Sequence, residues 1–220
     1  MHLENVDKYL RGVAFSFTSL AARIIEERRA LARRDHGLRP WLVLWSCTAN
    51  GGDDRDALPV AAAFDLFDRF IVLHRELATE PVQTSPWGLG QNLNGGDALC
   101  AVAFRTLTSD VRDSARRLAA AKVVGEAVLE AIERSDEVAE NAALTGAALQ
   151  GGAIIGGAGA EVAQIFARAG RTLGTAVAAA NSTRSQALLS ESLAQIRSVI
   201  TADAAQAFEE VASCVAQRAA

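Results

Sequence analysis

Three titratable side chains stand together in "HRELATEPVQTSPWGLGQNLNGGDAL", His74 to Leu99: His74, Arg75 and Glu76, with Glu80 close behind. Glu76 and Glu80 are spaced i,i+4 and share a face if a helix runs through both, which is enough for one weak metal. Ordinary surface acids at a helix end explain them better. His74 can act as a general base, but a histidine at a pocket wall or on the surface is the more economical reading. Cys100 lies among apolar neighbours and reads as core before nucleophile. No Ser/His/Asp arrangement follows from spacing. The run "GGAIIGG" lacks the Gly-Lys-Ser/Thr ending of a phosphate loop and has no strand before it. Gly152 and Gly156, one helical turn apart, instead permit close helix packing. Trp41 and Trp45, also i,i+4, form a helix face suited to core or interface.

The elements that must carry these residues are helices. The chain has 220 residues, half of them hydrophobic, with only 4 prolines and abundant alanine. That suits one globular domain over 1–220. A net charge of -4 offers no basic footprint for nucleic acid or an anionic membrane. The three cysteines are scattered, which points to a reducing compartment, and no zinc spacing links them to the three histidines. No secretory leader is expected from "MHLENVDKYL", and a cytoplasmic location follows. The uncharged stretch 141–160 approaches the length of a membrane span, but its alanine and glycine content and Gln150 mark a buried core helix.

Helical periodicity runs throughout without convincing strands. Helices are expected over about 3–33, from Pro40 to Asn50, and from Asp56 with Pro59 in an early turn to about Thr79. A loop follows at 81–93. Further helices are expected over 94–108, 110–134, 136–157, 160–182, 185–200 and 203–218, with Asp110, Ser135, Ser182 and Asp203 at or near their starts.

Five pieces of this chain, in order, resemble the trans-polyprenyl (isoprenyl) diphosphate synthase family. "GLRPWLVLWSCTANGGDDRDALPVAAAFDLFDRFIVLH" is similar to the family's Gly-Lys-Arg-x-Arg-Pro opening and the helix after it. "WGLGQNLNGGDALCAVAF" is similar to its Trp-Gly-x-x-Gln-Ala-x-Asn-x-Gly-Asp-Ala helix start, through Trp87, Gly88, Gln91, Asn94, Gly96 and Asp97. "NAALTGAALQGGAIIGGAG" resembles the Lys-Thr-Ala-Ala-Leu helix. "FARAGRTLGTAVAAA", with Gly174, resembles the Gly-x-x-Leu-Gly-x-Ala-Phe-Gln helix, and "FEEVASCVAQR" the closing helix. The resemblance implies an all-α isoprenoid-synthase-like bundle, here shortened, and dimers as the usual assembly.

The family ionises an allylic diphosphate with Mg²⁺ held by two aspartate-rich motifs, helped by lysines and arginines. Against that pattern the first motif falls at Arg75-Glu76, with Glu80 as a distal acid, and the second at Asn181-Ser182. The Phe-Gln before it has become Val177-Ala178. His36 and Gly37 replace the opening lysine and first arginine, while Arg39 survives. The Lys-Thr pair is Glu140-Asn141, a reversal of charge. The Arg-Arg-Gly after the first motif has no counterpart, and two stretches of the pattern, before 136 and after 184, are missing. What persists is architectural in type: Trp87, Gly88, Asn94, Asp97, Gly152 and Gly174, with Asn94 or Asp97 placed to cap or pin a helix start.

The expectation is therefore a catalytically inactive member that acts as a non-catalytic or regulatory subunit, as a homodimer or in a heteromer with a complete prenyl diphosphate synthase. It needs no cofactor, binds no nucleic acid and has no transmembrane segment. One alternative is a divergent prenyltransferase or class I terpene cyclase, with Glu76 and Glu80 on Mg²⁺ and Arg39, Arg75, His74 and Gln91 toward substrate. A second is a metal-free isoprenoid-binding protein.

Overall fold

The computed structural model describes residues 3–15, 37–79, 88–134, 136–179 and 183–218. Among them the elements are α1 (Leu3–Phe15), α2 (Leu38–Ala49), α3 (Asp54–Thr79), α4 (Gly88–Ser109), α5 (Ser114–Arg134), α6 (Glu137–Gly156), α7 (Ala160–Ala178), α8 (Thr183–Arg197) and α9 (Ala202–Arg218). None of these helices is long and apolar enough to cross a membrane.

The uncharged stretch becomes the heart of the bundle. α6 buries nearly its whole circumference, from Asn141 to Ile155, against α2, α3, α5 and α7. Its small residues let that happen. A Cβ on Gly152 would stand 2.2 Å from the Val43 carbonyl oxygen and 2.0 Å from Ser46 Oγ on α2. One turn on, a Cβ on Gly156 would stand 2.4 Å from Cys47 O. Toward α7, a Cβ on Gly170 would meet Thr145 O at 2.5 Å, and one on Gly174 would meet Asn141 O at 2.2 Å. Both contacts are backbone on backbone, and only glycine allows them.

The helix ends follow local chemistry. Asp136 is the N-cap of α6, its side chain accepting from Ala139 N. Gly157 closes that helix at φ 95, with Ala158 N donating back to Ala153 O. α2 ends at Asn50, followed by Gly51 at φ 83.

Several boundaries differ from expectation. α4 begins at Gly88, not at 94. Two early glycines argue for loop, but buried Asn92 donates to Gly88 O and carries the helix through them. Asn94 and Asp97 consequently lie exposed inside α4 and cap no helix start. α5 begins at Ser114, because Asp113, rather than Asp110, accepts from the N–H groups of Ala115 and Arg116. Asp110 instead accepts from the Tyr9 hydroxyl of α1. α3 begins at Asp54, which moves Pro59 into its second turn. The expected helix beyond Phe15, like Glu80, Trp87, Ser135 and Asn181-Ser182, lies outside the described residues.

Aromatic rings fill the space between α2, α7 and α9. Trp45 stacks on Trp41 at 5.9 Å and packs on Phe166 and Phe208, and its indole N–H donates to Ala204 O. Burying each phenylalanine contributes about 2 kcal/mol. Beside them Cys47 is fully buried, and desolvation with nearby aspartates pushes its thiol up to about 12, which leaves it inert.

Two predictions follow from this packing. Gly152→Ala should cost about 3 kcal/mol or more in denaturant unfolding, because its methyl meets backbone. Gly12→Ala, on exposed α1 with nothing within 4 Å of the new methyl, should be neutral or stabilise by up to about 1 kcal/mol. The second concerns the clip between α5 and α7, where Arg171 donates two hydrogen bonds to Glu130. These bonds hold the Glu130 carboxyl below its ordinary 4.5, so its stabilisation is complete above that value and fades as pH falls through the folded-state value. The melting-temperature gap between wild type and Glu130→Gln should be present at neutral pH and close in acid.

Candidate functional site

α3 carries an unusual string of charge along an otherwise apolar sequence. Asp65 and Arg69 pair within the helix at 2.7 Å, with Arg69 only 3% exposed. Asp68 faces α2 and ion-pairs with Arg39, which is 4% exposed. The other arm of that guanidinium donates to Asn141 Oδ1 of α6 at 2.7 Å. The Asn141 amide N–H is itself engaged, donating to Glu137 O, so the oxygen is the atom turned toward Arg39. Arg39 thus ties three helices at a buried point. A buried guanidinium is tolerable there because a carboxylate and an amide oxygen both meet it.

Two turns along α3, Arg75 reaches the same helix. Its Nη2 lies 2.5 Å from Glu140 Oε2, where Glu140 is 14% exposed and Arg75 47%. The two charged residues that the resemblance sets at the first motif and at the Lys-Thr pair are therefore partners of each other. Next to them the His74 ring packs on Phe70 at 4.4 Å, with Nδ1 3.0 Å from Phe70 O. Nδ1 therefore carries the proton and donates, which leaves Nε2 facing Asp97, 3.9 Å from Oδ1. Gly96 makes this possible: a Cβ there would lie 2.2 Å from His74 Cε1. The glycine of the Asn-x-Gly-Asp pattern is read here as room for an imidazole.

The structure thus gathers Arg39, His74, Arg75, Glu140 and Asp97 at one end of α3. Glu76 is half-buried on the same helix, and Gln91 is exposed in the first turn of α4. Sequence reasoning missed Asp65, Asp68 and Arg69; the signal was present as charge inside "AAAFDLFDRFIVL". A magnesium cluster needs several convergent oxygen ligands. Among the described residues no three of His, Cys, Asp or Glu converge for a metal, and Glu140 is paired with Arg75.

Chemically, the arrangement is a set of neutralised pairs. It joins α2, α3, α4 and α6 and, among the described residues, presents no concentrated positive charge to an anion. Arg39→Met should destabilise the fold by about 3–5 kcal/mol in denaturant unfolding, because it removes the buried guanidinium that meets the Asp68 carboxylate and the Asn141 amide oxygen. Asp68→Asn with Arg39→Met should recover part of that loss.

No family model matches the chain. It is 30% identical over 164 residues to the short chain isoprenyl diphosphate synthase of Methanothermobacter thermautotrophicus, covering 63% of this chain and 50% of that one. The chain spans half or less of the length of the curated relatives it matches. Among solved structures, geranylgeranyl pyrophosphate synthetase from Geoglobus acetivorans superposes with a TM-score of 0.81 at 14% identity, over 97% of both chains. The geranyl diphosphate synthase small subunit from Antirrhinum majus superposes with a TM-score of 0.66 at 17% identity, over 94% of this chain and 88% of that one. The match in sequence and the shared order of helices lead to one conclusion: the chain is related to the trans-isoprenyl diphosphate synthases and has their all-helical bundle fold.

Proposed function

We propose that this chain is a catalytically inactive relative of the prenyl synthases, acting in the cytoplasm as a non-catalytic or regulatory subunit of isoprenoid biosynthesis. The observation that carries the reading is the Arg75–Glu140 pair. In the resembled pattern, an acid stands at the first position to hold Mg²⁺ and a lysine at the second to hold diphosphate. Here both signs are exchanged. A cation at the first position repels the metal, and an anion at the second repels the phosphate oxygens. The exchanged residues neutralise each other across the gap that metal and diphosphate would bridge, so the helices are joined without a ligand.

Arg39 supports the same reading. It matches a family arginine, but it is buried and engaged with Asp68 and Asn141. Ionisation of an allylic diphosphate needs concentrated positive charge at the leaving group, and these pairs dissipate it. The fold shared with the Antirrhinum majus small subunit makes a subunit role, homo- or heteromeric, a natural use for such a scaffold.

The test is direct. Purified chain incubated with allylic and homoallylic diphosphates and Mg²⁺ should release no prenyl or terpene product above a no-protein control. Calorimetry should detect no Mg²⁺-dependent diphosphate binding. Robust turnover by the chain alone would sink the proposal.

A further inference from the structure

A cavity lies at the far end of α2 from the paired charges. Trp45, Thr48 and Ala49 of α2, Asp54 at the start of α3, and Ala204 and Ala207 of α9 line a space of about 370 Å³ that is open to solvent on one side. Thr48 stands nine residues beyond Arg39, about 14 Å along the helix axis. The volume falls in the lower part of the range that small-ligand pockets occupy. Its cause is local. α2 and α9 meet at Trp45, whose ring packs on Phe208 at 4.9 Å and whose indole N–H donates to Ala204 O. Around that contact the facing side chains are short: Ala49 on one helix, Ala204 and Ala207 on the other. Methyl groups do not fill the gap.

The side chains lining the cavity offer acceptors and no spare donor. The Thr48 hydroxyl donates its proton to Trp45 O at 2.9 Å, so its oxygen is left to accept. The Trp45 indole N–H is spent on Ala204 O. An ionised Asp54 only accepts. Arg55 beside it turns its Nε to both oxygens of Asp53 at 3.0 Å, and Arg112 pairs with Asp56. Asp53 interacts with Asp54 but brings no opposite charge. Among the described residues no lysine or arginine makes a salt bridge with Asp54. Trp45 is already stacked on Trp41 and packed on Phe166 and Phe208. It supplies apolar surface rather than an open ring face for a quaternary cation.

We propose that this cavity binds a small primary ammonium carried on an apolar body. The ammonium donates to the Asp54 carboxylate and the Thr48 oxygen, and the body covers Trp45 and the three alanines. A carboxylate or phosphate would meet acceptors alone and is rejected. A neutral hydrocarbon would leave the carboxylate unused. Asp54 also suits the dipole at the start of α3, but that role does not account for a cavity beside it. The site is independent of whether the chain turns over diphosphate.

The probe is 2-phenylethylammonium, with 2-phenylethanol and 3-phenylpropionate as its neutral and anionic counterparts. In the full chain labelled with ¹⁵N-tryptophan, the Trp45 indole resonance reports on the cavity, because its N–H is bonded to the cavity wall. Trp41→Phe and Trp87→Phe assign it. The amine should shift that resonance saturably, with a Kd of about millimolar size for so small a ligand. It should bind about tenfold tighter than the alcohol, as a charge-assisted hydrogen bond gives, and the carboxylate should produce no shift. Asp54→Asn keeps a residue suited to a helix start and should bring the amine down to the alcohol's affinity. Ala204→Leu, and independently Ala207→Leu, should fill the space and abolish binding with helical circular dichroism unchanged. The proposal is overturned if the amine gives no saturable shift, or if amine and alcohol bind equally. Amine affinity that survives Asp54→Asn, or both leucine substitutions, overturns it as well. Prenyl product from the chain alone would overturn the proposed function and leave this site standing.

Discussion

Backbone contact between α6 and its neighbours α2 and α7 is the constraint on which the rest of this structure depends. With Gly152 and Gly156 against the carbonyls of α2, Gly146 against Gly170, and Gly174 against Asn141 O, the helix axes lie closer than ordinary side chains allow. Dispersion is gained over the full length of the contact, because no side chain holds the backbones apart. The same closeness sets the positions of Asn141 and Glu140 at the N-terminal end of α6, and with them the reach of Arg39 and Arg75.

The ion pairs use that geometry. Arg39 is buried deeply enough that its charge must be met, and Asp68 and Asn141 meet it from two helices. Arg75 and Glu140, more exposed, join the next level of the same two helices, α3 and α6. In an active prenyl synthase a gap at this level would be bridged by metal and diphosphate. On the proposed function, the direct pair stands in place of that bridge.

The fold was largely legible from sequence because its signals are local. Uncharged "NAALTGAALQGGAIIGGAGA" reads as core by composition, Asn50-Gly51-Gly52 as a stop, and Gly152 and Gly156 as a contact face. Where local signals misled, a specific competitor prevailed. Gly88 and Gly90 argued for loop, yet Asn92 bonded the backbone and the helix ran through. Asp110 looked like a cap, but Asp113 was placed to accept two N–H groups while Asp110 met Tyr9. The site was less legible. Each of Arg75 and Glu140 was recognisable as a departure from a pattern, but nothing in the chain says that residues 65 apart in sequence touch.

What the sequence determined by itself was helix class and the small-residue core, because these are properties of residue type and spacing. What only the tertiary structure decided was pairing. It set Arg39 on Asp68 and Asn141, Arg75 on Glu140, and the His74 ring over Gly96. Partners are chosen by how closely the helices approach, and that approach depends on which glycine meets which backbone across the bundle, a relation between distant segments that no local window contains.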